Sequence, residues 1–441
     1  MINAIIVIIT LILFLPLFFI FVKNKNDIYL LLLSLVFLIA WIADELMLLP
    51  HFFTWSIELI IAILFINFLL PKIIFFKQIK IAPFGKYILL LITYCFIGAI
   101  IYLINFNSLL IGFRAFFKYT FLFFIFINAD FSQKSYKTFF KYWLYFMAIQ
   151  PFVALYQYSI LGHTDDLVYG TLSSTGIAAI MLIIFTIFLI DLINKTNIPN
   201  YILYLMIFLS MSIIPILGEA KAFFYFLPII LFIRYGNNLL KVNFKNVLQF
   251  VFPFLLVVYL FQSFYKVNLF EIGEINTSVF LFSQGKGGIE AFDNQATLAV
   301  SLSERFLSIV ALYDSGFFGS DLKKFFFGEG IGSNVFVFES REGFSLSTKE
   351  AFIKKFSLSN LIQNIGSIGF LIFVFVLYEI SRFSVKASKS MNDKFFISVY
   401  KIIPAFSVLF IMAMFYTNPF TDVISFSYWF FVSSLYYSSE F

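Results

Sequence analysis

The sequence predicts an all-α, polytopic integral membrane protein of about thirteen transmembrane helices with one large extracytoplasmic loop. Three observations predict it. The 441 residues are 61% hydrophobic and only 12% charged, and the mean hydropathy is +0.97, which excludes a soluble fold. Apolar runs of spanning length recur along nearly the whole chain. Alternate connections between those runs carry the basic residues.

Taken in order, the apolar runs are residues 3–22, 28–49, 52–70, 87–105, 110–129, 142–161, 174–193, 201–217, 219–235, 247–265, 359–380, 396–416 and 423–437. The chain therefore divides into ten spans over 1–265, a loop over 266–358 and three spans over 359–441. The first run has no small-residue cleavage site and is followed at once by the second, so it reads as a retained span. The basic connections hold Lys23 and Lys25; Lys72, Lys77, Lys80 and Lys86; Lys134, Lys137 and Lys141; Lys195; Arg234, Lys241 and Lys245; and Arg382, Lys386, Lys389, Lys394 and Lys401. The positive-inside rule puts these in the cytoplasm. The N-terminus, the large loop and the connections near Pro50, Phe106, Asp165 and Gly218 then lie outside, and the C-terminus inside. This topology accounts for the net charge of +6 without nucleic acid. The 68 phenylalanines reflect compositional bias more simply than a stacking function. Cys95 is the single cysteine, so there is no disulfide framework and no thiolate metal site. No other metal-ligand cluster or cofactor motif stands out.

The loop from Lys266 to Leu358 is where function is expected, because a long polar segment between apolar helices costs ordering entropy without burial. Ser301 and Glu304 form a capping box. Leu302, Phe306, Ile309, Val310 and Tyr313 then recur at helical spacing up to Asp314-Ser315-Gly316. Arg305 lies at the edge of that apolar stripe, where it reaches an anionic ligand or a lipid phosphate. Further on, Phe327-Gly328-Glu329-Gly330-Ile331-Gly332-Ser333 alternates glycine with other residues, which permits close backbone approach to a ligand or a sharp turn. It is neither a P-loop nor a dinucleotide fingerprint.

Several ionisable residues on the outer side are not explained by topology. Arg114 and Lys118 are one helical turn apart on one face, which suits a single multivalent anion, although each also fits a snorkelling helix-end residue. His163, Asp165 and Asp166 follow the sixth span, and Glu219 and Lys221 stand between the eighth and ninth. Asp44, Glu45 and Glu58 are read as structural pairing partners, and Asn418, Pro419 and Asp422 mark an outer turn without an assigned role. Charges at such depths usually face a cavity or a partner.

An arginine in a loop helix is followed by Phe327–Ser333, then by Ser359-Asn360-Leu361 and Gly366-Ser367-Ile368-Gly369-Phe370 at the start of a span. This order resembles the bacterial O-antigen polymerase and O-antigen ligase superfamily. Gly218-Glu219-Ala220-Lys221-Ala222 stands where that family carries a small-residue, Ser-Arg, Gly turn, and Gly170-Thr171-Leu172-Ser173-Ser174 resembles its entry to the preceding helix pair. The resemblance covers about the C-terminal two thirds of the chain. It implies a C-type glycosyltransferase-like membrane fold in the bacterial plasma membrane, with no cofactor. The implied activity is polymerisation of polyprenyl-diphosphate-linked oligosaccharide repeats into O-antigen or capsular polysaccharide on the outer side. Membrane lipids, a chain-length regulator and a flippase are the implied partners, and nucleic acid is not. In that chemistry Arg114, Lys118, Lys221 and Arg305 bind the donor diphosphate, Gly328, Gly330 and Gly332 form the loop motif, and Asp166 is the carboxylate that assists the acceptor hydroxyl, His163 being dispensable. Lys221 replaces the family's arginine and loses the bidentate fork. The ligase branch carries a histidine before the Gly-x-x-Gly entry, and Lys354–Asn360 has none, which favours polymerase over ligase. A lipid-linked glycan flippase or transporter is the alternative from another class; it calls for internal repeats and midplane charges, neither of which the spacing shows.

Overall fold

A computed structural model describes residues 56–129, 131–163, 167–172, 174–193, 200–218, 220–239, 322–333, 357–420 and 422–438, together with residues 255 and 259. The described residues are helical with no strand. The expected spans at 3–22 and 28–49, nearly all of 247–265, the capped helix carrying Arg305, and residues Asp165, Asp166 and Glu219 lie outside them.

The first described helix, α1 (Ser56–Leu64), widens into a π-helical turn, Phe65–Leu69, and closes as α2 (Leu70–Ile74). There follow α3 (Gly85–Ile101), α4 (Phe106–Asn128), α5 (Gln133–Ser159), α6 (Thr175–Ile193), α7 (Asn200–Leu217) and α8 (Lys221–Leu239). A short α9 (Leu322–Phe327) belongs to the large loop, and α10 (Ser357–Ser390), α11 (Lys394–Met414) and α12 (Asp422–Ser433) end the bundle. Among the described residues, five segments are long and apolar enough to cross a membrane: Ile57–Ile74, Phe106–Asn128, Thr175–Leu192, Ser357–Ser390 and Lys394–Met414. Gly85–Ile101, Ile207–Leu217 and Ala222–Tyr235 are shorter apolar helices.

Two boundaries differ from the sequence expectation. The helix expected over 142–161 begins at Gln133, where the Ser132 hydroxyl caps it by accepting from the Ser135 N–H. The helix expected over 359–380 runs to Ser390. In both cases the lysines and arginine assigned to connections ride on helical extensions, because hydropathy marks where a helix leaves the apolar core rather than where its hydrogen bonding stops.

α6 is the centre of the bundle, with Ala178–Ile184 almost entirely inaccessible. It packs against α5, α7, α8, α11 and α12. An aromatic cluster fixes the α5–α12 contact: Phe139 and Phe430 have ring centroids 4.4 Å apart, and Trp143 donates its indole N–H to Ser427 Oγ at 3.0 Å. α10 joins the other half, against α3, α9 and α11.

Among the described residues, basic connections gather at one end of the bundle. Lys72 Nζ donates to the Asn128 carbonyl at 2.7 Å, Lys80 Nζ donates to Tyr436 Oη, Lys137 pairs with Asp393, and Tyr437 donates to the Phe131 carbonyl at 2.6 Å. Arg234 pairs with buried Asp191 at 2.7 Å. The connections that lack basic residues, including Ile101–Phe106 and the loop before α6, belong to the opposite end.

Candidate functional site

At the opposite end from the basic connections, α4 is started by Asn105, whose side-chain oxygen accepts from the Ser108 N–H at 2.8 Å. About 12 Å along the axis from Phe106, Arg114 and then Lys118 emerge on one face toward Glu58 of α1. Glu58 Oε1 accepts from Arg114 Nη2 at 2.9 Å, from Arg114 Nε at 3.3 Å and from Lys118 Nζ at 3.1 Å. Glu58 Oε2 is buried without a hydrogen-bond partner. The structural pairing expected for Glu58 is thus with these two cations. The Arg114 side chain is 46% exposed and that of Lys118 only 17%. Two cations converge on one point that an anionic oxygen occupies, and the oxygen there belongs to the protein.

The segment Phe327–Ser333 is wedged among three helices, and each glycine meets a different one. Gly328 (φ +67°) lies so near the backbone of Gln363–Gly366 that a Cβ would stand 2.3 Å from the Gln363 carbonyl. Gly330 (φ +88°) faces Gly98 and Ala99 of α3. Gly332 (φ +92°) abuts α4, where a Cβ would stand 2.1 Å from the Ser108 carbonyl, and Gly112 faces it from the helix side. Gly366 interrupts α10 with φ 74° and ψ 171°, a conformation open essentially to glycine alone, and it sits against the Phe326 carbonyl. Ile331 is 1% exposed. The alternating glycines, read from sequence as a close approach to ligand or a sharp turn, are used here for close approach to helices.

That wedge fixes a carboxylate. The Glu329 N–H donates to the Gln363 carbonyl at 2.7 Å, and Glu329 Oε2 accepts from Gln363 Nε2 at 3.0 Å. Oε1 lies 3.7 Å from Lys324 Nζ. Gln363 Oε1 is buried with no partner. Sequence reading passed over both residues. The signal available was a glutamate enclosed by glycines and a glutamine inside an apolar span, where an unsatisfied amide is costly.

A second anchored loop precedes α6. Gln157 Oε1 accepts from the Gly170 N–H at 2.8 Å while its Nε2 donates to the Gly170 carbonyl at 2.9 Å. Gln150 Oε1 accepts from the Thr171 N–H at 2.8 Å and its hydroxyl at 3.0 Å. The two glutamines are seven residues apart, on one face of α5, and they clamp Tyr169, Gly170 and Thr171 ahead of α6. His163 donates its backbone N–H to Gln157 O, and its Nδ1 is buried without a partner. Lys221 is the first residue of α8.

Of the four cations expected to share an anion, the structure brings together Arg114 and Lys118. Among the described residues no three His, Cys, Asp or Glu side chains gather as a metal site. A small cavity inside the bundle is walled by Ile88, Leu91, Phe117, Ile331, Leu377 and Trp429; its apolar lining suits no charged ligand. Comparison of the chain with protein-family models and with curated proteins returns no match.

Proposed function

We propose that the chain is a membrane polymerase that joins polyprenyl-diphosphate-linked oligosaccharide repeats at the bundle end away from the basic connections, which the positive-inside rule places outside the plasma membrane. One observation carries the reading. The two motif segments that set the resemblance, Phe327–Ser333 and the entry around Gly366, pack backbone to backbone, with the contacting Gly328 and Gly366 38 residues apart in sequence. The wedge reaches α4 at Gly112, two residues before Arg114, so the cation pair begins at a nearby height on a different face of that helix.

The chemistry follows from the charges. A sugar hydroxyl of one repeat attacks the anomeric carbon of another, and lipid diphosphate departs with the bonding electrons. Cations fixed before the reaction stabilise the charge that develops on the diphosphate, without reorganisation during the step. Arg114 and Lys118 converge on one oxygen of Glu58, and the donor diphosphate would share or take over that contact. Arg305 and Lys221 join them in the sequence-based assignment.

A transporter or flippase is favoured by one specific feature, the interruption of α10 at Gly366, because carriers bind substrates at broken helices. The interruption lies nine residues from the start of α10, nearer its end than its middle, and another segment of the chain fills it. Deletion of the gene separates the two. Cells without the polymerase still display single repeat units on the surface, whereas cells without a flippase display none. In cells carrying Arg114→Ala at normal abundance, polymer formation is expected to fall about thirty- to a thousand-fold, the worth of ~2–4 kcal/mol of transition-state stabilisation.

A further inference from the structure

We propose that Glu329 and Gln363 form the seat for the attacking sugar hydroxyl, with Glu329 taking its proton. This rests on the polymerase reading, and it assigns the proton transfer to Glu329 rather than to Asp166.

Backbone conformation is the first support. Glu329 stands between Gly328 at φ +67°, pressed against the backbone of α10, and Gly330 at φ +88°, in van der Waals contact with α3, so its direction is set by its neighbours and not by its own rotamers alone. Side-chain fixation is the second. Gln363 holds the Glu329 N–H at 2.7 Å and its Oε2 at 3.0 Å, so the residue is pinned at both ends to the first part of α10. A carboxylate pinned in this way meets the demand that a reacting group be preorganised on rigid elements.

Leftover acceptor capacity is the third support, and it points to the ligand. Glu329 Oε1 is ion-paired with Lys324 Nζ at 3.7 Å, too far for a hydrogen bond, and the Glu329 side chain is 28% exposed, so this oxygen keeps acceptor capacity for a ligand. Gln363 is 6% exposed, and its Oε1 is buried with no partner. That oxygen is bonded to the same carbon as the nitrogen that holds Glu329, so it stands beside the carboxylate. Two acceptors require two donors. Adjacent sugar hydroxyls supply two O–H groups, whereas an ionised diphosphate and a polyprenyl chain supply none. The ligand class is therefore a polyol, and the acceptor repeat is the polyol in this reaction.

The step balances with no further reactant. As the hydroxyl oxygen bonds to the anomeric carbon, the bond from that carbon to the diphosphate oxygen breaks, the electron pair leaves with the lipid diphosphate, and the hydroxyl proton passes to Glu329 Oε1. Gln363 is a positioning residue, holding Oε2 and receiving a second hydroxyl.

The test uses the full chain in liposomes with polyprenyl-diphosphate-linked repeat units as the probe. Glu329→Gln is isosteric and should lower the rate of chain lengthening by about 10²- to 10⁴-fold, while membrane abundance, melting temperature and binding of the lipid-linked donor stay at wild-type values. Glu329→Asp should restore part of the rate, because a carboxylate is again present. Gln363→Leu should raise KM for the acceptor more than it lowers kcat. Wild-type lengthening by Glu329→Gln overturns the proposal, leaving the two acceptors to a bound water. A rate loss matched by an equal loss of folded protein in Glu329→Gln also overturns it, making the pair structural. No lengthening by the wild-type chain overturns the polymerase reading and this proposal together.

Discussion

Glycine at positions 328, 330, 332 and 366 acts through what a side chain would strike. At Gly332 a Cβ would fall 2.1 Å from the Ser108 carbonyl, at a φ of +92°, so Gly332→Ala combines backbone strain with a clash against a helix that cannot yield. Gly162 also has a positive φ, +68°, but nothing lies within 4 Å of its Cβ position. Gly332→Ala is therefore expected to destabilise the protein by more than ~2 kcal/mol and Gly162→Ala by only ~1 kcal/mol, read as melting temperature in detergent. Equal shifts would mean that the wedge is loosely seated. The sequence made the glycine alternation visible and its need for close approach clear. What approached was not legible, since the partner backbones at Ser108 and Gln363 are remote in sequence. The same limit hid Gln363: its polarity was plain, but its contact with Glu329 belongs to the tertiary fold. Arg114 and Lys118 were legible as a pair because one helical turn separates them. Their meeting with Glu58, fifty-six residues before Arg114, was not.

Helix positions were the most legible feature at the level of elements, because apolar run length reports directly on what a bilayer accepts. Their ends were not, because Ser132 and Asp393 start helices outside the apolar runs. Asp393 caps α11 by accepting from the Phe395 N–H at 2.9 Å, and it is held by Lys137 from the start of α5. Partial burial pushes its carboxyl up, but the Lys137 hydrogen bond and charge, with the N–H groups of Phe395 and Phe396, outweigh this and hold it below the usual aspartate range. A depressed carboxyl stabilises the fold above its unfolded pKa. That contribution begins to be lost as the pH falls past about 3.8 and is gone below the folded value. Asp393→Asn should therefore lower the melting temperature at neutral pH and flatten its decline on acidification in that range. An unchanged acid profile would show that the Lys137 contact carries no weight at the junction of α5 and α11.

For the molecule as described, the charges fall into two groups. Contacts of Lys72, Lys80, Lys137 and Arg234 collect the basic connections at one end. Arg114, Lys118 and Glu58 stand between a third and half of the way along α4 from the other end, and the glycine wedge meets that helix on a different face. Hydropathy and the alternation of basic connections made the first half of this legible. The second half depended on short motifs whose meaning comes from their meeting in space. The central claim is that this end of the bundle transfers a glycan from a lipid diphosphate. It is tested most directly by incubating the purified full chain in liposomes with a polyprenyl-diphosphate-linked single repeat and separating the products by size. The account predicts lipid-linked dimers and longer chains, with one polyprenyl diphosphate released for each bond formed, and a large drop in both for Arg114→Ala. Translocation of unchanged single repeats across the bilayer, with no lengthening and no released diphosphate, would contradict it.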